Sequence, residues 1–193
     1  MATKEEFAII LDFLPNGYPF DKRPIHKKTA IAQAIGKEHL ALLELIPKKD
    51  IFLQPHEEVY IGEGKRDHIH HIQNRITPDK LTTTGRQELE HILEELVQKN
   101  EQKYVSFFNT AGPINMRRHQ LELIPGIGKK HLFEMLDARK EKGFTSFEDL
   151  RARIHLMPDP LKAIVRRILL EMEGQEKYNI FIKNQQLEQQ SQR

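Results

Sequence analysis

The chain has 193 residues, no cysteine and a formal net charge of +2. The missing cysteine excludes disulfide scaffolds and thiolate zinc sites and points to a reducing compartment. Apolar residues at 38% and charged residues at 30% suit folded domains rather than a disordered chain. No apolar run is long enough to cross a bilayer, and the start Met1-Ala2-Thr3-Lys4 lacks an apolar signal core. A soluble cytoplasmic protein with no membrane partner is therefore expected.

Residues 1–80 read as β. Phe7 to Leu14 is a short apolar run closed by Pro15-Asn16-Gly17, a strand and its turn. Tyr18 to Lys28, with two prolines, is a loop. Thr29–Ile35 and His39–Ile46 flank Gly36-Lys37-Glu38 as a hairpin; a helix through 30–46 competes, because Ala, Leu and Glu favour helices, and Gly36 weighs against it. Val59-Tyr60-Ile61 and His68–Ile76 supply further strands. About five short strands at this spacing predict a small closed or partly open barrel.

Residues 81–112 read as connecting helices. One of Thr82, Thr83 or Thr84 caps a helix to about Asn100, with Leu89, Ile92, Leu93, Leu96 and Val97 as its apolar stripe. A second short helix covers 104–111. Residues 113–174 read as four helices over 115–124, 129–142, 146–153 and 160–173, the last opening on a helix-compatible proline. Residues 175–183, containing Tyr178-Asn179-Ile180-Phe181-Ile182, are expected to form a strand returning to the barrel. The polar stretch 184–193 is expected to be disordered.

Charge is unevenly spread. Residues 1–80 balance to zero, whereas 113–170 carry a net +5, the kind of local excess that accompanies phosphate binding. Within that segment lies Pro125-Gly126-Ile127-Gly128. Both glycines are expected to permit a tight turn at positive φ, with Ile127 pinned between the flanking helices. The first amides of the second helix would then lack partners and, with Lys129 and Lys130 beside them, seat an anion.

The stretch Leu121-x-x-Ile124-Pro125-Gly126-Ile127-Gly128-Lys129-Lys130, continuing to Leu136 and Arg139, resembles the helix-hairpin-helix family of nucleic-acid-binding motifs. Leu132 departs from the small residue common there. The resemblance implies non-sequence-specific contact with the sugar-phosphate backbone through Pro125 to Lys130, with Arg117 and Arg118 on the same track. Leu156-Met157-Pro158-Asp159-Pro160-Leu161-Lys162 looks like a second, degenerate hairpin that keeps a proline and a lysine but neither glycine, and is expected to pack rather than bind. The whole chain resembles the domain of unknown function 655 family, best known in archaea, through Ala8–Leu14, Val59-Tyr60-Ile61-Gly62, Arg75-Ile76 and Leu123–Lys130. That resemblance implies an α+β fold, an OB-like barrel followed by a helix-hairpin-helix domain. It also implies RNA binding linked to translation or ribosomal RNA, and it carries no active site.

Lys22, Arg23, Lys27 and Lys28 lie near Tyr18 and Phe20, a basic and aromatic mixture suited to single strands. Arg66, His68, His70 and Arg75 are further candidates on a barrel face. On a regular strand His68 and His70 share one side and His71 takes the other. No metal site, cofactor or catalytic set is expected, and the ribosome is a candidate partner. A DNA-repair accessory and a protein-interaction module without nucleic acid are the alternatives.

Overall fold

The computed structural model describes residues 4–182. It divides into two compact units. The first comprises the described residues up to 92 together with Ile182, and the second runs from 93 to 181, the division falling inside the first long helix.

The first unit is built on β1 (Phe7–Leu14), β2 (Ile31–Gly36), β3 (Leu42–Pro47), β4 (Glu58–Tyr60) and β5 (Ile69–Arg75). They form one antiparallel sheet in the order β4-β1-β2-β3-β5. Ala8, Ile10, Ala32, Ala34, Leu43, Leu45, Val59 and Ile69 share one buried cluster, so both edge strands contribute to the same core. A flat sheet of five strands would hold its edges about 19 Å apart. The sheet is therefore curled into a half-barrel, and β4 and β5 make no ladder with each other.

The β2–β3 hairpin forms, not the competing helix, and Gly36 shows why. The buried Glu5 carboxylate accepts hydrogen bonds from the amides of Glu38, His39 and Ala41 at 2.9–3.2 Å. A Cβ on residue 36 would lie 2.0 Å from Glu5 Cδ, so only glycine leaves room for this brace. In β5, His70 and Gln73 have no partner in the register with β3, which makes two bulges.

Helix α1 (Thr83–Lys99) buries its predicted stripe of Leu89, Ile92, Leu93, Leu96 and Val97. Thr82 caps it, its Oγ1 accepting from the Gly85 amide at 2.9 Å. The second unit adds α2 (Glu101–Thr110), β6 (Pro113–Asn115), β7 (Arg118–His119), a 3-10 helix (Gln120–Leu123), α3 (Lys129–Glu141), α4 (Phe147–Arg153) and α5 (Pro160–Met172).

Two expectations fail here. The helix over 115–124 is instead the β6–β7 hairpin and one 3-10 turn. Asn115 Oδ1 accepts from the Arg117 amide at 2.9 Å and turns the chain. His119 and Glu122 then form a capping box, so helical structure starts at Gln120, too close to Pro125 to grow. The strand expected over 175–183 is also absent through residue 182. The amides of Ile180 and Phe181 donate to the buried Glu171 carboxylate at 2.8 and 2.9 Å. The Phe181 ring packs edge-on against Tyr104 and Phe107. Residue 183 and the stretch 184–193 lie outside the described residues.

Candidate functional site

The Ile124–Lys130 bend belongs to the second unit. Leu121, Ile124, Leu132 and Met135 are buried around it, and Ile127 is 5% exposed. Burying an isoleucine side chain contributes about 1.5–3 kcal/mol, enough to pin a short turn. Gly126 sits at φ +87°, a conformation that side chains resist, and a Cβ there would meet Pro158 Cγ at 3.0 Å. The degenerate second turn thus packs directly against the first. Gly128 differs from expectation. It is extended (φ −96°, ψ −175°), with nothing within 4 Å of its missing Cβ.

Gly128 is also the N-cap residue of α3, so the first turn of that helix receives no side-chain hydrogen bond. The other two helices nearby are closed at this point. Ser146 Oγ accepts from Asp149 N at the start of α4. Asp159 accepts from Leu161 N and Lys162 N at the start of α5. The second turn therefore carries its own carboxylate where the first carries none. Gly126, Gly128, Lys129 and Lys130 are exposed, as are Arg117 and Arg118 on the β6–β7 hairpin. On α3, Phe133 is 61% exposed, and Met135 is buried.

The candidates in the first unit separate into groups. Arg66 and Arg75 line a cavity of about 750 Å³ beside the open ends of β4 and β5, with Lys4, Tyr60 and Ile72. Arg66 is tied down, its Nε donating to the Gly62 carbonyl at 2.8 Å. Arg23 is not available as a free cation: its guanidinium forks onto Asp21 at 2.7–3.1 Å. That pairing holds the Asp21 carboxyl down at about 2. Lys22 and Lys27 are exposed and Lys28 is half-buried. His68 Nδ1 lies 3.8 Å from Glu57 Oε1. His70 and His71 do not take opposite sides, because the bulge at His70 brings their Nδ1 atoms to 2.7 Å.

Sequence reasoning missed a polar row across the sheet. Asp12, Gln33, Glu44 and Asn74 are successive cross-strand partners on β1, β2, β3 and β5. Gln33 is fully buried and Glu44 is 7% exposed. Both N–H groups of Gln33 are used, on the Lys80 carbonyl and the Tyr18 hydroxyl, and its oxygen accepts from Thr82 N. Tyr18 in turn donates to Glu44 Oε2 at 2.7 Å. Burial, and then the Glu44 bond, push the Tyr18 phenol up to about 12, which keeps it a donor. A legible signal existed: β1, β2 and β3 each hold one polar residue inside an apolar run, and a buried polar residue is informative.

A curled antiparallel sheet followed by helices is the class these units define. The chain matches, over residues 4–183, the family described as "Protein of unknown function (DUF655)" and belongs to it. It is 39% identical to an uncharacterized protein, MJ0038, of Methanocaldococcus jannaschii across 93% of this chain and 80% of that one. It also superimposes on the crystal structure of Af1531 from Archaeoglobus fulgidus, described as DUF655, with a TM-score of 0.86 and 40% identity. That match covers 93% of this chain and all of the other. Among the described residues no helix is long and apolar enough to cross a membrane, and no group of three or more His, Asp or Glu is placed to hold a metal ion.

Proposed function

We propose that this protein binds nucleic acid by its sugar-phosphate backbone, without reading base sequence at that contact, and that the Ile124–Lys130 bend is the seat. The bend acts as a helix-hairpin-helix whose first helix is shortened to a 3-10 turn. The carrying observation is the contrast between the two turns. At the start of α3 a glycine cap leaves the amides open beside Lys129 and Lys130, while at the start of α5 Asp159 fills the equivalent place. Open first-turn amides and a helix dipole favour an anion, and two exposed lysines add charge. Arg117 and Arg118 supply a second set of contacts. RNA is the favoured ligand, in a translation or ribosomal RNA setting, and the cysteine-free composition fits a cytoplasmic location.

Gly128→Asp separates binding from folding. Aspartate is among the best N-cap residues, so the helix should be as stable as before or firmer by a few tenths of a kcal/mol. Its carboxylate would occupy the anion seat. The expected result is an unchanged or raised melting temperature with RNA affinity, measured by filter binding, reduced at least about tenfold. Undiminished binding with an intact fold sinks the proposal. Preference for duplex DNA over RNA would favour a repair accessory instead. Salt-independent capture of a protein partner, with no nucleic-acid binding, would favour an interaction module.

A further inference from the structure

The buried polar row ends on an oxygen with room to spare. In the chain Gln33 → Tyr18 → Glu44 each side chain donates to the next, and the Tyr18 hydroxyl is the only hydrogen-bond donor to the Glu44 carboxylate among the described residues. An ionised carboxylate offers about four acceptor positions, and one is taken. Glu44 nonetheless lines a cavity of about 640 Å³ together with Tyr18, Phe20, Asn74, Arg75 and Lys80. A cavity of this size takes a small ligand. Its carboxylate is deep, its rim carries Arg75 and the Lys80–Asp79 ion pair, and one of its walls is aromatic.

Each feature restricts the ligand. Phe20 stacks on Tyr18 with ring centroids 4.9 Å apart and planes within 10°. It is 78% exposed, so its second face is open to a flat ring. Glu44 demands hydrogen-bond donors on that ring. Asn74, the cross-strand partner of Glu44, has no side-chain hydrogen bond among the described residues and can donate its amide. Arg75, exposed and unpaired among the described residues, stands where an attached phosphate would gain from positive charge, while Lys80 on the same rim lies 3.6 Å from Asp79.

Among nucleobases, guanine answers all of these. Its Watson–Crick edge presents N1–H and the N2 amino group side by side, two donors for one carboxylate, with the O6 acceptor next to them for Asn74. Adenine sets a ring-nitrogen acceptor beside its one amino donor. Uracil flanks its single N–H with two carbonyl oxygens. Either arrangement brings an acceptor against Glu44. Unstacked bases held on aromatic rings and read along this edge are the usual route to selectivity for single strands.

We infer that the cavity between the Tyr18–Phe20 loop, β3, β5 and residues 76–82 is a guanine-binding pocket, with Phe20 as the stacking platform, Glu44 accepting from N1–H and N2–H, and Asn74 donating to O6. The pocket deepens the reading above by adding one base-selective position to a backbone grip, yet it stands on separate residues.

The full chain would be titrated calorimetrically with guanosine, inosine and adenosine 5′-monophosphates, and with oligouridine carrying or lacking one central guanine. Guanosine monophosphate should bind at least about tenfold more tightly than the adenosine form, with inosine, which lacks the N2 amine, in between. If the oligomer effect is large and the mononucleotide effect small, the source of the base is a strand; the reverse identifies a free nucleotide. Glu44→Gln keeps an acceptor for Tyr18 but turns a donor toward the base, and should abolish the preference. Phe20→Ala, at an exposed position that cannot unfold the sheet, should weaken all guanine ligands about tenfold. Equal binding of the guanine and adenine mononucleotides together with no effect of the central guanine in the oligomer, or an undiminished preference in both variants, overturns the pocket. Gly128→Asp should lower RNA affinity and leave the guanine preference intact, so failure of the bend and failure of the pocket are told apart.

Discussion

Gly126 and Gly128 flank Ile127 and differ in what the backbone asks of them. Gly126 is needed for backbone geometry, at φ +87° against Pro158. Gly126→Ala should therefore destabilise the fold by about 1–3 kcal/mol, measured by urea unfolding. Gly128 carries no such constraint: it is extended, with nothing within 4 Å of its missing Cβ. His119 is the other residue whose role is local. Its Nδ1 accepts from Leu121 N at 3.1 Å, which requires the neutral ring. Burial first, then the nearby Arg139 charge, hold its pKa below the ordinary 6.5, with Glu122 pulling weakly the other way. The unfolded chain then takes up that proton more readily than the folded one. Stability is full above 6.5 and falls as pH drops below it toward the lowered value. His119→Asn keeps an acceptor and removes the titration. The fall in melting temperature between about pH 7 and about pH 5 should shrink in that variant.

At the scale of elements, several arginines act as helix stops rather than as surface charge. Arg153 donates to the carbonyls of Ala138 and Lys142 at 2.7 Å each, closing the C-terminus of α3, and lies 4.7 Å over the Phe144 ring. Arg153→Ala should cost about 2–3 kcal/mol in chemical denaturation, because two carbonyls and a ring lose their partner. Arg153→Lys should recover little, since an ammonium cannot fork. Most strands and helices could be read from the sequence because apolar spacing specifies them. Where reading failed, a side chain had replaced a backbone partner. Asn115 and His119 claim amides that a helix would have used, and Glu171 claims two that a ladder would have used. In the candidate sites, the glycine bend was legible because its chemistry is contiguous in the chain. The Asp12–Gln33–Glu44–Asn74 row was not, because register assembles it from four strands.

Over the whole molecule, counting charge by sequence overstates the surface. The +5 between residues 113 and 170 includes Arg139, Arg153 and Arg167. The first two cap carbonyls, and the third is 2% exposed, bonded to Glu171 and Glu176. Lys129, Lys130, Arg117 and Arg118 remain as the cations expected to meet phosphate. With about four contacts to a single strand, log affinity against log salt should fall with a slope of about −3. A slope steeper than about −6 would mean that the basic surface extends well beyond these residues. The half-barrel brings a different hazard, since a sheet left open has two raw margins. One margin, β4, is three residues long, and the other, β5, is broken twice along seven. Neither offers an incoming strand a straight, uninterrupted template. The sheet can stay unclosed at high protein concentration without zipping copies into ribbons.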